Sequence, residues 1–587
     1  MNARILLLTV PLCLIASAVA LLKAAPDWVS RSNQNAQILL SILAKYSPET
    51  ASELGVPGMD DRISRPSLDE PERRRHDLAQ AISELQSRVS AESDPLVKQD
   101  LAILIDAARK DIRSSTAYEQ HTIPYTNAAL AVFGGVHGLL DDQIAPARRP
   151  AAVVRLKKYA GLEPGYRPLT VIDKEIFRAK AKNGALLGPP RAQVEQDLAT
   201  MDSYVSGIGD LFRKYQLTGY DDAYAQLKSQ MAAYRTFVQT EVLPRTRSDF
   251  RLPPDLYAVR LDNAGVDYTP AELERLAHQS FAEIQAQMSE VAAGVARANG
   301  FPSSDYRAVI RALKKNQLSA ADVMPRYHET LAQIENAIRA HHLVTLPDRP
   351  CIVRVASAAE TSQQPAPHYQ PPQLIGNNGQ QGQFVLPGGT VGPDGKPLKY
   401  DDFTFRSATW TLTAHEARPG HDLQFSSMVE RGVSQARAIF AFNSTNVEGW
   451  GLYAEWFMLP YMPADGQLIS LQLRLLRAAR AFLDPELQEG KVTRDQALKV
   501  LEDDVVISEA FATEEVDRFT FRAPGQAVSY FDGYTRLRQL RADVEKQMGA
   551  NFNEQQFHDF ILSQGMLPPA LLRKAVLEKF VGRSKQG

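Results

Sequence analysis

The chain has 587 residues, of which 44% are apolar, and its 66 basic and 68 acidic side chains leave a formal net charge of −2. A surface so nearly neutral provides no global field for a nucleic acid or for an anionic membrane, so both are disfavoured as partners. The chain is long enough to bury a large core, and it contains no fixed-period repeat or low-complexity linker; we therefore expect one large unit with two lobes.

The amino terminus has the layout of a secretory signal. Residues 1–4 are positively charged, and residues 5–22 form an almost unbroken apolar run that ends among small residues. We predict a signal peptide over residues 1–22 and a periplasmic or secreted protein, with an uncleaved amino-terminal anchor as the alternative. The membrane is a partner only in that second case. Residues 10–12 do not resemble a lipoprotein cleavage site before Cys13, and the mature chain then keeps Cys351 alone, so no intramolecular disulfide forms.

Residues 23–345 are predicted to form a helical lobe. Leu78, Ile82, Leu85 and Val89 recur at the spacing of one helical face, and Asp94-Pro95 then provides a cap and a first-turn proline for the next helix. Two antiparallel helices follow from this pattern. Further along, residues 269–272 (Thr-Pro-Ala-Glu) form a capping box that predicts a long helix with apolar residues along one stripe.

Residues 346–587 are predicted to form a catalytic lobe that is continuous with the first. Between about residues 351 and 406 the chain is rich in Pro, Gly and Gln, so helix is not expected there. Two short runs, residues 351–355 and Gln383–Leu386, suit strands of a small hairpin or sheet. An edge strand there can hold an extended peptide by adding it as another strand; a purely structural hairpin is the alternative.

Residues 413–424 read Thr-Ala-His-Glu-Ala-Arg-Pro-Gly-His-Asp-Leu-Gln, in which His415 and His421 flank Glu416. In the common His-Glu-x-x-His zinc helix the two imidazoles are four residues apart and reach one ion. Six residues on a regular helix advance about 600°, which leaves the second ring about 120° away from the first. An undistorted helix therefore cannot bring both rings to one metal.

Pro419 and Gly420 lie between the two histidines and change this expectation. Proline removes a backbone donor and glycine tolerates unusual backbone angles, so the turn can widen or break and return His421 to the face of His415. The alternative is an ordinary helix end with surface histidines. A suitable third ligand, Glu448, follows about one helix later, and it favours a catalytic zinc site with an open position for water. Glu455 lies seven residues further on the same face, either as a partner of a ligand or as a surface acid.

Three blocks of sequence together resemble the family called domain of unknown function 885. They are His415-Glu416 with Pro419-Gly420-His421 and Gln424, then Glu448-Gly449-Trp450 with Tyr453 and Glu455, and finally Glu515-Val516-Asp517-Arg518 with Pro524-Gly525-Gln526-Ala527 and Tyr530. This family is similar in its metal motif to the His-Glu zinc peptidases of the thimet oligopeptidase and angiotensin-converting enzyme type. The resemblance implies a mostly α-helical, two-lobed fold with a deep cleft. The chain departs from the family pattern at Phe519, Asp422 and Gly451.

The function expected from these residues is zinc-dependent hydrolysis of short peptides. Glu416 is the predicted general base for a water on Zn²⁺ held by His415, His421 and Glu448. We assign Tyr530 as the catalytic donor to the oxyanion, with a buried structural tyrosine as the alternative.

Three further residues are candidates for contact with the peptide. Arg518 suits a substrate carboxylate, although a salt bridge to Glu514, Glu515 or Asp517 is the alternative. Gln526 is a candidate for the substrate backbone and His368 for the substrate itself. Two other functions stay open: a zinc amidase or esterase that acts on a non-peptide acyl group, and a non-catalytic peptide- or metal-binding protein. A pure binding site needs no general base, so Glu416 argues against the last.

Overall fold

A computed structural model of the protein describes residues 26–388, 390–391, 397–398 and 400–582. The predicted signal segment 1–22 and Cys13 lie outside these residues. The protein is mostly helical, as expected, with little strand. Within the described ranges, none of the helices combines the length and the apolar character needed to cross a bilayer.

The helices of the first half are α1 Asp27–Tyr46, α2 Pro48–Leu54, α3 Glu70–Ala91, α4 Pro95–His121, α5 Ala128–His137, α6 Ala151–Tyr159, α7 Leu169–Lys180, α8 Arg191–Lys214, α9 Asp221–Phe237, α10 Pro254–Ala264, α11 Pro270–Asn299, α12 Tyr306–Lys314 and α13 Ala320–Ala340. Those of the second half are α14 Ala358–Gln363, α15 Ala408–Glu416, α16 His421–Arg431, α17 Ser444–Met458, α18 Ala464–Gln488, α19 Arg494–Lys499, α20 Glu509–Asp517, α21 Ser529–Met548, α22 Glu554–Ser563 and α23 Pro569–Ala575. Short π-helical segments are Val238–Val242, Ala436–Phe440, Val500–Val505, Arg518–Arg522 and Val576–Val581, and 3₁₀ turns are Leu243–Arg245, Leu459–Tyr461 and Gly549–Asn551.

The helices predicted in the first half form where the pattern placed them. Helices α3 and α4 pack together, with Leu78 and Leu85 buried between them, and the side chain of Asp94 accepts from the backbone N–H of Leu96 to cap α4. The capping box of α11 is complete, because Thr269 and Glu272 each accept from the other's backbone N–H. Local capping chemistry therefore fixes these helix starts.

The small sheet lies between the two halves of the chain and differs in part from the expectation. Its strands are β1 Ile352–Val355, β2 His368–Gln370 and β3 Gln383–Leu386, in the order β1-β3-β2. Strands β1 and β3 pair in parallel and β2 is antiparallel to β3, so the two predicted strands do not form a hairpin. A second pair, β4 Thr390–Val391 with β5 Pro397–Leu398, is antiparallel.

The expectation of no helix between residues 351 and 406 was wrong. Helix α14 forms there, and it begins with a capping box between Ser357 and Glu360. The box satisfies orphan backbone donors at a point where the surrounding composition favours loops. A parallel β1–β3 pair also needs a crossover between its strands, and α14 with β2 provides that connection.

Helix α18 is the central element of the second half. It is buried along most of its length, and it packs against α11, α15 and α21. One apolar core includes residues of α10 to α13, the sheet, α15 and α18 to α21, so it crosses the predicted division at 345/346. The exact placement of that division stays a prediction. Because α15 and α21 pack on the same helix, their side chains are brought to a common point in the interior.

Candidate metal centre

The helix that carries the first histidine stops directly after it. Helix α15 ends at Glu416, Ala417 leaves helical geometry with φ −99° and ψ −106°, and α16 begins at His421. The Arg418–Pro419 peptide bond is cis. The turn between the two histidines therefore breaks, as the Pro-Gly pair predicted, and two separate helix ends present the imidazoles.

The break is held by close packing and by an indole. A Cβ on Gly420 would lie 1.8 Å from the backbone oxygen of His415, so only glycine allows this approach. The Nε1–H of Trp450 donates to the carbonyl oxygens of Pro419 and Gly420 at 3.0 and 3.2 Å. Trp450 is fully buried; it satisfies the Pro419 carbonyl and is a second donor to the Gly420 carbonyl, which also accepts from the backbone N–H of Gln424 at 3.1 Å.

The three predicted ligands converge. The Nε2 atoms of His415 and His421 each lie 3.4 Å from the same oxygen, Oε2 of Glu448. One ligand atom from each of the three residues lies within 4.8 Å of the other two. Both imidazoles are buried, and the Glu448 side chain is 18% exposed. Nitrogen and carboxylate oxygen are ligands that zinc accepts, and three protein ligands leave a position open.

Glu455 fixes the orientation of the first imidazole. Its Oε1 lies 2.7 Å from Nδ1 of His415, while its Oε2 accepts from the Thr411 hydroxyl at 2.5 Å. Arg477 lies 3.4 Å from Oε1 as well. Glu455 is completely buried, which rules out the surface-acid alternative. With Nδ1 held by Glu455, Nε2 is the ring atom that faces Glu448, the arrangement typical of metal-binding histidines.

Burial and neighbouring charges both shift the pKa values of the ionisable groups at the site. Burial alone disfavours the charged imidazolium of His415, but the carboxylates of Glu416, Glu448 and Glu455 outweigh it and raise its pKa to about 9. Burial likewise disfavours ionised Glu448, yet hydrogen bonds with His415 and His421 hold its pKa well below the ordinary value. The cluster of carboxylates therefore favours a positive charge between them.

Glu416 lies beside this cluster without joining it. Its side chain is buried and its Oε2 lies 4.0 Å from Nε2 of His421. Burial raises the pKa of Glu416, against the opposing effect of the two histidines. A carboxylate in this position can accept and return a proton close to the ligand atoms.

Tyr530 contacts His415, and Arg518 contacts Tyr530. The Tyr530 ring stacks on the His415 imidazole with centroids 6.2 Å apart, and its hydroxyl accepts from Nη2 of Arg518 at 3.0 Å. Arg518 also donates to Oε1 of Gln526 and lies 3.7 Å from Glu515. The Gln526 amide donates in turn to Ser444 Oγ at 2.7 Å. Asp517 pairs with a different arginine, Arg494.

These contacts place Arg518, Gln526 and Tyr530 in one chain of hydrogen bonds that ends next to His415, a predicted metal ligand. Arg518 makes the ion pair with Glu515 that sequence offered as the structural alternative. Gln526 has both ends of its amide engaged within the protein. Their predicted roles in holding substrate stay predictions.

His368 is not among the residues that meet at the cluster. It lies on β2, where Nδ1 is 3.1 Å from the Ala366 carbonyl oxygen, and burial lowers its pKa. Its neighbour Tyr369 instead lies near the second histidine, with 6.2 Å between the ring centroids of Tyr369 and His421. The Tyr369 hydroxyl donates to Asp422 at 3.3 Å. The predicted contact of His368 with substrate stays a prediction.

Sequence reasoning missed several residues that shape the site. Gly451, which the sequence marked only as a departure from the family pattern, lies under the His415 ring, where a Cβ would be 2.7 Å from Cε1 and 2.8 Å from Nε2. Thr411 lies one helical turn before His415 on α15, a spacing that was available as a signal. Nothing local indicated Arg477 or Tyr369, because each reaches the site from a distant part of the chain.

Comparisons with known proteins identify the family. The chain belongs to the family described as "Bacterial protein of unknown function (DUF885)", which matches residues 48–576. A crystal structure of a "putative lipoprotein" from Colwellia psychrerythraea is 18% identical, with a TM-score of 0.75 over 94% of this chain and 100% of that one. A "putative lipoprotein of unknown function" from Shewanella oneidensis is also 18% identical, with a TM-score of 0.67 and the same coverage. At this identity the likeness concerns the fold alone. No match was found among curated proteins.

Proposed function

We propose that this member of the DUF885 family is a zinc-dependent peptidase that hydrolyses short peptides. One observation carries the proposal: two imidazole nitrogens, on separate helix ends, lie 3.4 Å from one oxygen of Glu448, and a free carboxylate, Glu416, lies beside them. A metal site with three ligands and an adjacent base is the arrangement used for hydrolysis.

The donor set fits zinc. His415 and Glu455 form the carboxylate–histidine pair that commonly accompanies zinc, and the pair leaves Nε2 as the donor atom. The remaining donors, Nε2 of His421 and Oε2 of Glu448, are nitrogen and oxygen as well. Buried carboxylates around two imidazoles also need a cation for charge balance.

Zinc held by His415, His421 and Glu448 would lower the pKa of a coordinated water to about 7 and would supply a Lewis acid for the scissile carbonyl. Glu416 takes the proton of the attacking water on its carboxylate and then delivers it to the leaving amine. Burial of Glu416 supports this role, because it raises the affinity of the carboxylate for the proton.

Tyr530 is the proposed donor to the oxyanion of the tetrahedral intermediate. Its hydroxyl is free to donate, because it accepts from Arg518 while its ring lies against the His415 imidazole. Arg518 thus orients the hydroxyl, and Gln526 orients Arg518 in turn. Arg518, Gln526 and His368 remain proposed contacts for the peptide.

The proposal includes the two-lobed fold with a deep cleft, residues 23–345 forming one lobe and residues 346–587 the other. It also places the protein in the periplasm or outside the cell. The apolar segment 5–22 supports export, as do the two structural neighbours described as lipoproteins. Peptide is the expected partner, and no interaction with nucleic acid is proposed.

The test compares the wild-type protein with Glu416→Gln, and with Glu283→Gln as a matched control on the exposed face of α11. Metal analysis of all three should find one zinc per chain. A digest of a mixed peptide library should show cleavage by the wild type and by Glu283→Gln, with a loss of at least about 100-fold in Glu416→Gln.

Each other outcome has a definite meaning. Equal cleavage by Glu416→Gln removes that residue from its role. A zinc-containing wild type that leaves peptides intact but hydrolyses other amides or esters is the amidase or esterase alternative. Binding of zinc or peptide without any hydrolysis makes the protein a non-catalytic binder.

A further inference from the structure

A cavity of about 530 Å³ lies away from the metal ligands, between the first-half helices and the segment after α20. Its lining comes from α4, α7, α10 and the loop before α10, and from residues 66–71, 122–126, 187–193 and 520–524. None of His415, His421, Glu448 or Glu416 lines it. A volume of this size lies in the range of roughly 300–1,000 Å³ that holds small ligands.

One part of this cavity is lined by two arginines, Arg260 and Arg247, whose guanidinium groups donate to neutral oxygens. Arg260 donates to the Pro524 carbonyl oxygen at 3.2 Å and to the Tyr118 hydroxyl at 2.7 Å. Arg247 donates to the carbonyl oxygens of Gly188, Asp249 and Arg251. Among the described residues, neither guanidinium has an ion pair, and Nη2 of each makes no hydrogen bond. Two partly buried cations held only by neutral acceptors form a binding site for a carboxylate.

Another part of the same cavity carries an acid, Asp173, with one unpaired oxygen. Asp173 on α7 is 93% buried, and its Oδ2 is a buried oxygen that accepts no hydrogen bond. Burial raises the pKa of Asp173 to about 7, partly offset by a hydrogen bond from Thr126. A buried carboxyl oxygen with no donor costs free energy unless a ligand supplies one.

The acid and the arginines occupy different ends. Asp173, Glu70 and Thr126 also line an adjoining cavity of about 1,000 Å³, whereas Arg247 and Arg260 do not. The other carboxylates at the wall are Glu119, which is paired with Arg75 and Lys180, and Glu70, which lines both cavities as Asp173 does. The cavity is therefore dipolar, with a proton acceptor at the end that joins its neighbour and cationic groups at the other end.

Part of the cavity wall is apolar. Proline and aromatic side chains contribute much of it: Pro66, Pro124, Tyr125, Pro189, Pro190 and Phe521. Such a surface suits an apolar body, and the rest of the wall carries polar side chains, among them Ser115, Thr122 and Gln193.

We propose that this cavity binds a short zwitterionic ligand, a free dipeptide or a similar amino acid derivative. Its ammonium group donates to Oδ2 of Asp173, its carboxylate accepts from Arg260 and Arg247, and its apolar side chain lies on the proline-rich wall. The site does not depend on the metal centre, so its existence does not require that the protein be a peptidase.

Binding of the dipeptide Ala-Phe tests the proposal by isothermal titration calorimetry on full-length Glu416→Gln protein, with and without EDTA treatment. N-acetyl-Ala-Phe lacks the ammonium group, and Ala-Phe amide lacks the carboxylate. Ala-Phe should bind with or without metal. The dissociation constant of each capped form should be at least about tenfold higher, because each loses one charged hydrogen bond.

Variants assign each end of the ligand. Asp173→Asn should weaken the binding of Ala-Phe about tenfold and leave the already weak binding of N-acetyl-Ala-Phe unchanged. Arg260→Gln should likewise weaken the binding of Ala-Phe about tenfold and leave the already weak binding of Ala-Phe amide unchanged. Arg178→Gln, an exposed position on the same helix as Asp173, should change nothing. If a variant does not fold, the capped and free dipeptides still decide the question on the unaltered cavity.

Absence of binding, or equal binding of free and capped dipeptides, overturns the proposal. Binding that disappears with EDTA places the dipeptide at the metal centre and overturns it too. Loss of hydrolysis in the peptidase assay has no bearing on these results, so the two proposals fail separately.

Discussion

The imidazole of His415 has a defined neighbour on each side. Glu448 lies at Nε2 and Glu455 at Nδ1, and both come from α17, where they are seven residues apart. Gly451 lies three residues after Glu448 and four before Glu455. Because it has no side chain, the His415 ring packs directly against the backbone of α17. The orientation of this ligand is therefore set by a single helix.

We expect Glu455→Gln to weaken zinc binding about 10- to 100-fold. The amide keeps the shape of the side chain but loses the charge that makes His415 a stronger donor. The measurement is a chelator competition with purified protein. An unchanged zinc affinity would mean that Glu455 serves only in packing.

Gly451→Ala should displace the His415 ring, because the new Cβ would lie 2.7 Å from Cε1. Displacement of a ligand by about 1 Å is enough to reduce peptide hydrolysis on the order of 100-fold. Gly294→Ala on α11 is the matched control, since a Cβ there meets nothing within 4 Å, and it should be neutral or slightly stabilising. Full activity in Gly451→Ala would show that the ring can move without cost.

At the scale of elements, the site depends on how closely α17 and α21 approach. A Cβ on Gly449 would lie 2.6 Å from the backbone of Gly533, and one on Gly533 would lie 1.9 Å from the Thr445 carbonyl oxygen. The two helices thus meet backbone to backbone. This contact places Tyr530, at the start of α21, beside His415, the predicted ligand that packs against α17.

Gly533→Ala should push these helices apart and destabilise the protein by about 1–3 kcal/mol, the usual cost of overpacking. The thermal unfolding midpoint should fall, and activity should fall with it as Tyr530 moves. Gly134→Ala on α5 serves as the control, because nothing lies within 4 Å of its Cβ position. Equal midpoints for the two variants would contradict the proposed contact.

At the scale of the whole molecule, one buried histidine, His558, links segments that are far apart in the sequence. His558 on α22 is completely buried; its Nδ1 donates to the Leu343 carbonyl oxygen at 2.8 Å and its Nε2 accepts from the Tyr453 hydroxyl at 2.9 Å. Burial lowers the pKa of His558 to about 3, so the folded protein holds it neutral. It joins α22 to α17 and to the chain after α13.

This histidine should make stability depend on pH. Its pKa is about 6.5 when unfolded and about 3 when folded, so its stabilisation is present above pH 6.5 and is lost as pH falls toward 3. The loss approaches about 1.4 kcal/mol per pH unit within that window. In urea unfolding, the difference between wild type and His558→Gln should therefore shrink from pH 7 to pH 5. A constant difference would contradict it, and exposed His328→Gln should show no such trend.

Much of the fold was accessible from local patterns. The cap at Asp94 and the capping box at Thr269 fixed helix starts, since those hydrogen bonds form within a few residues. The parallel pairing of β1 with β3 and the helix between them were not accessible, because strand partners are chosen by packing against distant helices. The same applies to Arg477 and Tyr369 at the site.

The amino-acid sequence by itself indicated the family and the helical character. It also singled out His415, Glu416, His421 and Glu448 as candidate site residues, because residue types and spacing carry that information. It further indicated that the helix can widen or break between the histidines, because proline removes a backbone donor and glycine tolerates unusual backbone angles. Only the tertiary structure decided that the deformation is a complete break held by Trp450, and that Glu455 is buried against His415. These contacts join segments 30 or more residues apart, and such distances close only when the helices pack.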